Sequence, residues 1–112
     1  MYTAPEFTTR LPVLLININK LFNREMTVDE VYEATRKEWV IGPRRERARY
    51  AVATYRGLTR SVFAIECWKP IGARWSFVGR PAAADIQNEL GFKSIRHLSK
   101  RGAANPIRYI NC

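Results

Sequence analysis

The feature that most constrains the fold is a pair of β-type runs in the middle of the chain. Residues 48–55 and 59–68 are both rich in β-branched, aromatic and small apolar side chains, and only Arg56, Gly57 and Leu58 separate them. This spacing is typical of a hairpin with a glycine in its turn. The sequence therefore predicts a central two-stranded ribbon.

The second run of this hairpin carries apolar side chains on both of its faces. Because side chains alternate along a strand, one face holds Phe63, Ile65 and Cys67, and the other holds Val62 and Trp68. A ribbon that is apolar on both sides must be covered on both sides. We therefore expect it to lie in a small barrel or beneath a helix.

The flanking segments predict two helices and several shorter elements. Thr27 and Glu30 form a capping box ahead of an apolar stripe, which predicts a helix that ends near Lys37. A second helix, with proline at its first turn, is predicted over residues 82–90 and ends at Gly91. The remaining predicted elements are strands over residues 13–19, 39–41, 74–79 and 107–111 and a short helix over residues 94–99.

The order of these elements predicts an α+β fold. We expect a mostly antiparallel sheet of five or six strands, closed into a small barrel and flanked by two or three helices. A length of 112 residues is that of one domain. Residues 1–10 are polar and show no period, so we expect a flexible N-terminal arm followed by a single barrel domain over residues 11–112.

The sequence also predicts a cytoplasmic protein without membrane contact. The longest apolar stretch, residues 13–16, is far shorter than the roughly 20 residues that cross a bilayer, and the N-terminus has no pattern of a secretory signal. Cys67 and Cys112 lack Cys-x-x-Cys spacing, so we expect reduced, structural cysteines.

The formal charge of +9 is concentrated in two tracts. Residues 44–60 hold six arginines and no lysine, and residues 93–108 hold five basic residues and no acidic one. By contrast, residues 24–38 carry three basic and five acidic residues. This asymmetry favours a polyanionic partner, and arginine favours bidentate contacts to phosphate. We therefore expect RNA or DNA as the partner, held by Arg44, Arg45, Arg47, Arg49, Arg96, Lys100 and Arg101.

The three tryptophans are candidates for contacting a base. Trp39, Trp68 and Trp75 lie at strand ends or next to turns of the predicted sheet. An indole in such a place can stack on a base that has left a duplex or belongs to a single strand. Packing in the core is the alternative for each of them.

Catalytic chemistry has less support in the sequence. Only two aspartates are present, Asp29 and Asp85, each within a predicted helix, and glycine-rich nucleotide loops are missing, so we expect no metal or cofactor. His97 lies in the second basic tract and could act as a general base toward a ribose hydroxyl. One alternative is therefore a metal-independent ribonuclease of toxin type that uses His97 with Arg96, Lys100 and Tyr109. A third hypothesis is an interaction module that docks an acidic protein; overall we do not expect an enzyme.

Two stretches of the chain carry a family resemblance. The hairpin with its glycine turn, Trp39 before it and the strand from Trp75 to Gly79 resemble the small β-barrel domains of the PUA superfamily, which includes the ASCH, EVE and YTH types. The ending resembles the close of small uncharacterised bacterial proteins, through residues 93–97, 101–102 and 105–109.

The PUA resemblance implies a pseudo-barrel that binds RNA or DNA, and in the EVE and YTH types a modified base is held in an aromatic cage. By position the cage would consist of Trp39, Trp68 and Trp75, and Asn17 or Ser76 would read a base edge. The chain lacks the recognisable motifs of the better-known types. Free-standing domains of this superfamily often act beside a nuclease or modification enzyme, which implies such a partner and a role in bacterial defence or RNA processing.

Overall fold

The computed structural model of the chain describes residues 4–18, 25–98 and 106–112. Within these residues the chain forms five strands, two α-helices and two short 3₁₀ segments. The regular elements are β1 (Val13–Asn17), α1 (Val28–Arg36), β2 (Tyr50–Tyr55), β3 (Leu58–Ile71), β4 (Arg74–Pro81), α2 (Ala84–Leu90) and β5 (Ile107–Ile110). The 3₁₀ segments are Pro43–Arg47 and Arg96–Leu98. Neither α-helix of this described part is long and apolar enough to span a membrane.

The strands form one sheet in the order β4-β3-β2-β1-β5. β1 pairs with β2 in parallel, and the other three pairs of neighbours are antiparallel. The predicted α+β class and the mostly antiparallel five-stranded sheet are therefore confirmed. The predicted barrel is not confirmed, because over the described residues the sheet is open, with β4 and β5 as its edges.

The first face of the sheet is covered by α1. The predicted capping box is present: Thr27 Oγ1 accepts from the backbone N–H of Glu30 at 3.2 Å, and the Glu30 carboxylate accepts from that of Thr27 at 3.5 Å. The helix buries Val31 against a core that includes Leu14, Phe63 and other sheet residues. A helix on this face thus provides one of the two covers that the ribbon requires.

The second face is covered by α2 and by the N-terminal segment. Its core joins Val52 and Val62 of the sheet to Leu90 of α2 and to Phe7, which is 3% exposed. The backbone N–H of Phe7 also donates to the carbonyl oxygen of Ser94 at 2.7 Å. Residues 4–10 are therefore part of the fold, and the prediction of a loose arm over these residues is wrong. The polar residues around Phe7 gave no indication that its side chain packs in the core.

Several predicted boundaries shift for identifiable reasons. Residues 39–41 do not form a strand, because only Trp39 pairs, through an isolated bridge to Trp75. The second helix starts at Ala84 rather than at residue 82, since Pro81 still pairs with β3. Gly91 ends this helix as predicted. A Cβ at Gly91 would lie 2.6 Å from the carbonyl oxygen of Gln87, so only glycine fits there.

Candidate nucleic-acid interface

The turn between β2 and β3 forms one end of the sheet. Tyr55 pairs with Leu58, which leaves a turn of only two residues, Arg56 and Gly57. Their φ angles are +48° and +77°, the left-handed values that a type I′ hairpin turn requires. Asparagine and glycine are the usual first residues of such a turn, so an arginine in this position is unusual.

The segment that follows α2 lies alongside this turn. The backbone N–H of Phe92 donates to the carbonyl oxygen of Thr59 at 2.9 Å. The backbone N–H of Thr59 in turn donates to the carbonyl oxygen of Lys93 at 2.8 Å. One residue pair further along, Ile95 donates to the carbonyl oxygen of Gly57 at 2.9 Å. These bonds fix residues 92–95 against the start of β3.

The buried Thr59 side chain links the same segment to α2. Its hydroxyl donates to the carbonyl oxygen of Leu90 at 2.6 Å and accepts from the backbone N–H of Lys93 at 2.8 Å. Both partners are backbone groups next to the end of a helix, where carbonyl and amide groups lack regular helical partners. The backbone on either side of Phe92 is thus held by Thr59, at Leu90 before it and at Lys93 after it.

Phe92 itself points to solvent. Its side chain is 62% exposed, and its φ of +55° is uncommon for a residue with a bulky side chain. Phe92 follows the helix-ending Gly91, a place where glycine or asparagine usually takes the left-handed conformation. An exposed phenylalanine there costs roughly 1 to 3 kcal/mol of backbone strain, and such strain is concentrated at functional sites.

Three arginines lie against this ring or the turn, and a lysine follows the ring in the chain. The guanidinium carbon of Arg60 lies 5.8 Å from the centre of the Phe92 ring and 5.7 Å from that of Tyr55. Arg56 lies 5.4 Å from the Tyr55 ring, and the aliphatic part of Arg96 lies against Gly57. Lys93 directly follows the exposed ring. We refer to Arg56, Arg60, Phe92, Lys93 and Arg96 as the hairpin-end cluster.

The other arginines of the first tract lie at the opposite end of the sheet, just before β2. They are Arg44, Arg45, Arg47 and Arg49, which we refer to as the 3₁₀ cluster. β2 spans six residues, so the two clusters are separated by roughly 20 Å along the strand. At the hairpin end, Arg56 and Arg60 of the first basic tract thus come near Lys93 and Arg96 of the second.

Two members of the 3₁₀ cluster are held by the protein itself. Arg44 donates to the carbonyl oxygen of Cys112 through Nε at 3.1 Å and Nη2 at 2.5 Å, and its guanidinium carbon lies 4.2 Å from the Tyr109 ring centre. Arg45 lies only 3.4 Å from the Trp75 ring centre, with its side chain 12% exposed. Arg47 and Arg49 remain exposed. Lys100 and Arg101, also predicted to contact phosphate, lie outside the described residues.

The three tryptophans are all found toward the end of the sheet that holds the 3₁₀ cluster, where they pack against the protein. Trp39 donates from Nε1 to the carbonyl oxygen of Thr35 at 2.8 Å. Trp68 is 9% exposed and meets Phe77 edge to face, with ring centres 5.4 Å apart. Trp75 lies beneath the guanidinium of Arg45. They therefore contribute mainly to the core at this end.

The two residues predicted to read a base edge are not brought together. Ser76 is buried, and its hydroxyl accepts from the backbone N–H of Glu38 at 3.1 Å. Asn17 ends β1 beside Thr54, roughly 30 Å from Trp75 along the strand direction. The candidate base pocket therefore lacks Asn17, although Ser76 is next to Trp75.

His97, the candidate general base, contacts the N-terminal segment. Its Nε2 donates to the carbonyl oxygen of Phe7 at 3.0 Å, and its Nδ1 lies 4.0 Å from the Glu6 carboxylate. Tyr109, its predicted catalytic partner, lies on β5 beneath Arg44 at the opposite end from Arg96. The contacts described for His97 are thus to Phe7 and Glu6, whereas Tyr109 contacts Arg44.

A cleft of about 260 Å³ opens between the 3₁₀ segment and β3. Its lining includes Glu46, Arg49, Glu66, Cys67 and Trp68. The lining charges are mixed in sign, which suits a polyanion less well than the hairpin-end cluster does. Among the described residues, no three His, Cys, Asp or Glu side chains are grouped so that they could hold a metal ion.

The sequence reasoning missed Phe92 altogether. Its position directly after a helix-ending glycine and before Lys93 was the available signal, but apolar periodicity gives an isolated phenylalanine no particular role. Comparisons of the chain with protein-family models, with curated proteins and with solved structures find no match. Function must therefore be inferred from the residues themselves.

Proposed function

We propose that the protein is a nucleic-acid-binding module that holds phosphates with the cations of the hairpin-end cluster. The observation that supports this best is that Arg56 and Arg60 of one basic tract meet Arg96 of the other at the hairpin turn, close to Lys93 in the chain, and that the Arg60 guanidinium lies 5.8 Å from the centre of the exposed Phe92 ring. Guanidinium groups bind phosphate bidentately, and an exposed ring beside them can stack on a base. RNA or DNA offers both groups in one molecule.

Of the cations predicted from sequence, Arg96 belongs to this cluster. Lys100 and Arg101 follow it within five positions of the chain, so both stay in the proposal as additional phosphate contacts. The PUA-like pseudo-barrel, a modified base held by tryptophans and an associated nuclease are implied by the resemblance and stay predictions. None of them is needed for binding at the hairpin end.

Salt dependence is the direct test of this proposal. Four cations that neutralise four phosphates of a single strand give a slope of log affinity against log salt of about −3. Affinity should then fall about 50-fold between about 50 mM and about 200 mM salt. The measurement is fluorescence anisotropy of a labelled oligonucleotide, titrated with the protein at both salt concentrations. Binding that is indifferent to salt, or no binding at the lower concentration, rejects the proposal.

The position of the contacts is tested by two double variants with the same change of charge. Arg56→Gln with Arg96→Gln removes two cations from the hairpin-end cluster and should weaken binding roughly 50-fold at about 50 mM salt, with a slope near −1.5. The matched control is Arg47→Gln with Arg49→Gln, two exposed residues at the other end of the sheet. If the control loses as much affinity as the first variant, the hairpin end is not the binding surface.

A further inference from the structure

We infer that the hairpin-end cluster selects single-stranded nucleic acid, with an unstacked base placed on the Phe92 ring. This inference rests on the proposed function and names its substrate class. Phe92 is one of four large hydrophobic residues that are exposed in the described part of the chain, the others being Val28, Val40 and Ile71. It is the only aromatic residue among these four, and the Arg60 guanidinium lies against it.

The backbone at Phe92 favours a binding role for this ring over a packing role. The residue keeps a left-handed φ of +55° that glycine would adopt without strain. In return, the conformation gives little burial, since the side chain remains 62% exposed. The strain and the exposure are both accounted for if the ring stacks on a partner.

The support beneath the ring is suited to a stacking platform. The backbone of residues 92–95 is fixed to Thr59 and Gly57 by hydrogen bonds of 2.8 to 2.9 Å. A ring on a fixed backbone loses little freedom on binding, which lowers the cost of association. Stacking therefore does not require the segment to be reorganised.

The position of Arg60 links the ring to a phosphate contact. Its guanidinium carbon lies 5.8 Å from the Phe92 ring centre. A nucleotide whose base stacks on Phe92 thus has a cation within reach of its own backbone. Bases in a duplex already stack on their neighbours and cannot present a face to such a ring, whereas bases of a single strand can. Because every base has a π-face, this mode tolerates any sequence.

The test compares two labelled probes, an oligouridylate of roughly 12 nucleotides, within the site sizes known for single-strand binders, and an RNA duplex of the same length. At the lower salt concentration the wild-type protein should bind the single strand at least about tenfold more tightly, the lower part of the range expected for one stacked base. Phe92→Ala should remove most of this preference, and Phe92→Tyr, which keeps the ring, should retain it. Circular dichroism melting of each variant checks the fold.

The outcomes separate this inference from the proposed function. If both probes bind equally, with Phe92→Ala harmless and the Arg56→Gln with Arg96→Gln variant weakened, the substrate class is wrong while nucleic-acid binding stands. If neither probe binds, the proposed function fails and this inference fails with it. Should Phe92→Ala fail to fold, the wild-type comparison of the two probes and the Phe92→Tyr variant still decide.

Discussion

The two ends of the sheet use arginine in different ways. At the end that holds the 3₁₀ cluster, Arg44 donates to a backbone carbonyl oxygen and the guanidinium of Arg45 lies over a tryptophan ring. At the hairpin end, Arg60 lies beside a ring that is open to solvent. A single arginine-rich tract in the sequence thus splits into a part that holds the protein together and a part that we propose binds phosphate.

Residues with positive φ angles occur at both ends of the sheet. Arg56 and Phe92 lie at the hairpin end, Glu38 and Asn111 lie toward the other end, and all four residues are exposed. The backbone N–H groups of Glu38 and Phe92 donate to Ser76 and Thr59, and the side-chain amide of Asn111 donates to the carbonyl oxygen of Thr9. Phe92 differs from the other three because its exposed side chain is a large apolar ring. The exposure of this ring, rather than the strain alone, is what we propose that binding explains.

The largest effect on stability is expected at the 3₁₀ cluster, from Arg45→Gln. This change removes the guanidinium from the Trp75 ring, where the side chain is 12% exposed. Lost stacking and packing should lower the free energy of unfolding by about 2 kcal/mol. For a domain of this size that is a decrease in melting temperature of about 8 °C. Affinity for the single-stranded probe should stay within about twofold, since only one charge changes and lies at a distance of more than a Debye length, about 10 Å.

The control for Arg45→Gln is Arg96→Gln, which makes the same chemical change at the other end. Arg96 is exposed, so its replacement should change stability by less than about 0.5 kcal/mol while weakening binding. Thermal melts give the melting temperature of each variant, and probe titrations give its affinity for the single-stranded probe. The reverse pattern, with Arg45→Gln stable but deficient in binding, would contradict the division of roles between the two ends.

Sequence alone predicted the parts of the fold that are set by local interactions. The capping box of Thr27 and Glu30 and the hairpin around Gly57 both depend on residues a few positions apart. The sequence pattern therefore predicts both of them. Whether the sheet closes or stays open, and where Phe7 packs, both depend on contacts between distant segments. No local pattern specifies such contacts.

The candidate site was predictable in its chemistry but not in its position. Clustered arginines indicated an anionic partner. The contact between Arg45 and Trp75, however, joins residues thirty positions apart, and no pattern near Arg45 predicts it. The sequence likewise could not show that the hydrogen bonds of Thr59 bring Lys93 beside the hairpin turn. Which arginines contact the protein itself, as Arg44 and Arg45 do, is decided by the tertiary structure.

A smaller effect on stability, of opposite sign, is expected from Arg56→Asn. Asparagine adopts the left-handed conformation more readily than arginine and, followed by Gly57, gives the preferred type I′ turn. The free energy of unfolding should rise by about 1 kcal/mol, the low end of the strain at such a position. Affinity for the single-stranded probe should fall several-fold, because one cation is lost.

Chemical denaturation and the probe titration measure the two effects of Arg56→Asn separately. Arg56→Lys is the matched control, since it keeps the charge and the strain: the salt slope and the stability should be unchanged, and affinity should fall less than in Arg56→Asn because only the bidentate geometry is lost. Arg56→Asn that is both more stable and fully active would show that this arginine is not kept for binding. The contrast between a binding end and a structural end of the sheet would then lose one of its members.

The smallest effect is expected in thiol chemistry at the 3₁₀ cluster. Burial raises the pKa of the Cys112 thiol above its ordinary value, although a backbone hydrogen bond and the charges of Arg44 and Arg47 act in the opposite direction. The thiolate is the reactive form, so iodoacetamide should modify Cys112 several-fold more slowly than the exposed Cys67. Mass spectrometry of timed digests gives both rates.

The Arg44→Gln variant then tests whether Arg44 has the structural role assigned to it. Loss of its charge alone would raise the Cys112 pKa further and slow alkylation, whereas release of the Cys112 backbone would undo the burial and speed it. Because burial is the largest cause of the raised pKa, we expect Cys112 to react faster in Arg44→Gln, while Cys67 keeps its rate. Arg96→Gln, at the hairpin end, should leave both rates unchanged. Slower alkylation of Cys112 in Arg44→Gln would mean that Arg44 acts there only as a nearby charge, as the exposed arginines of the hairpin end are proposed to act toward phosphate.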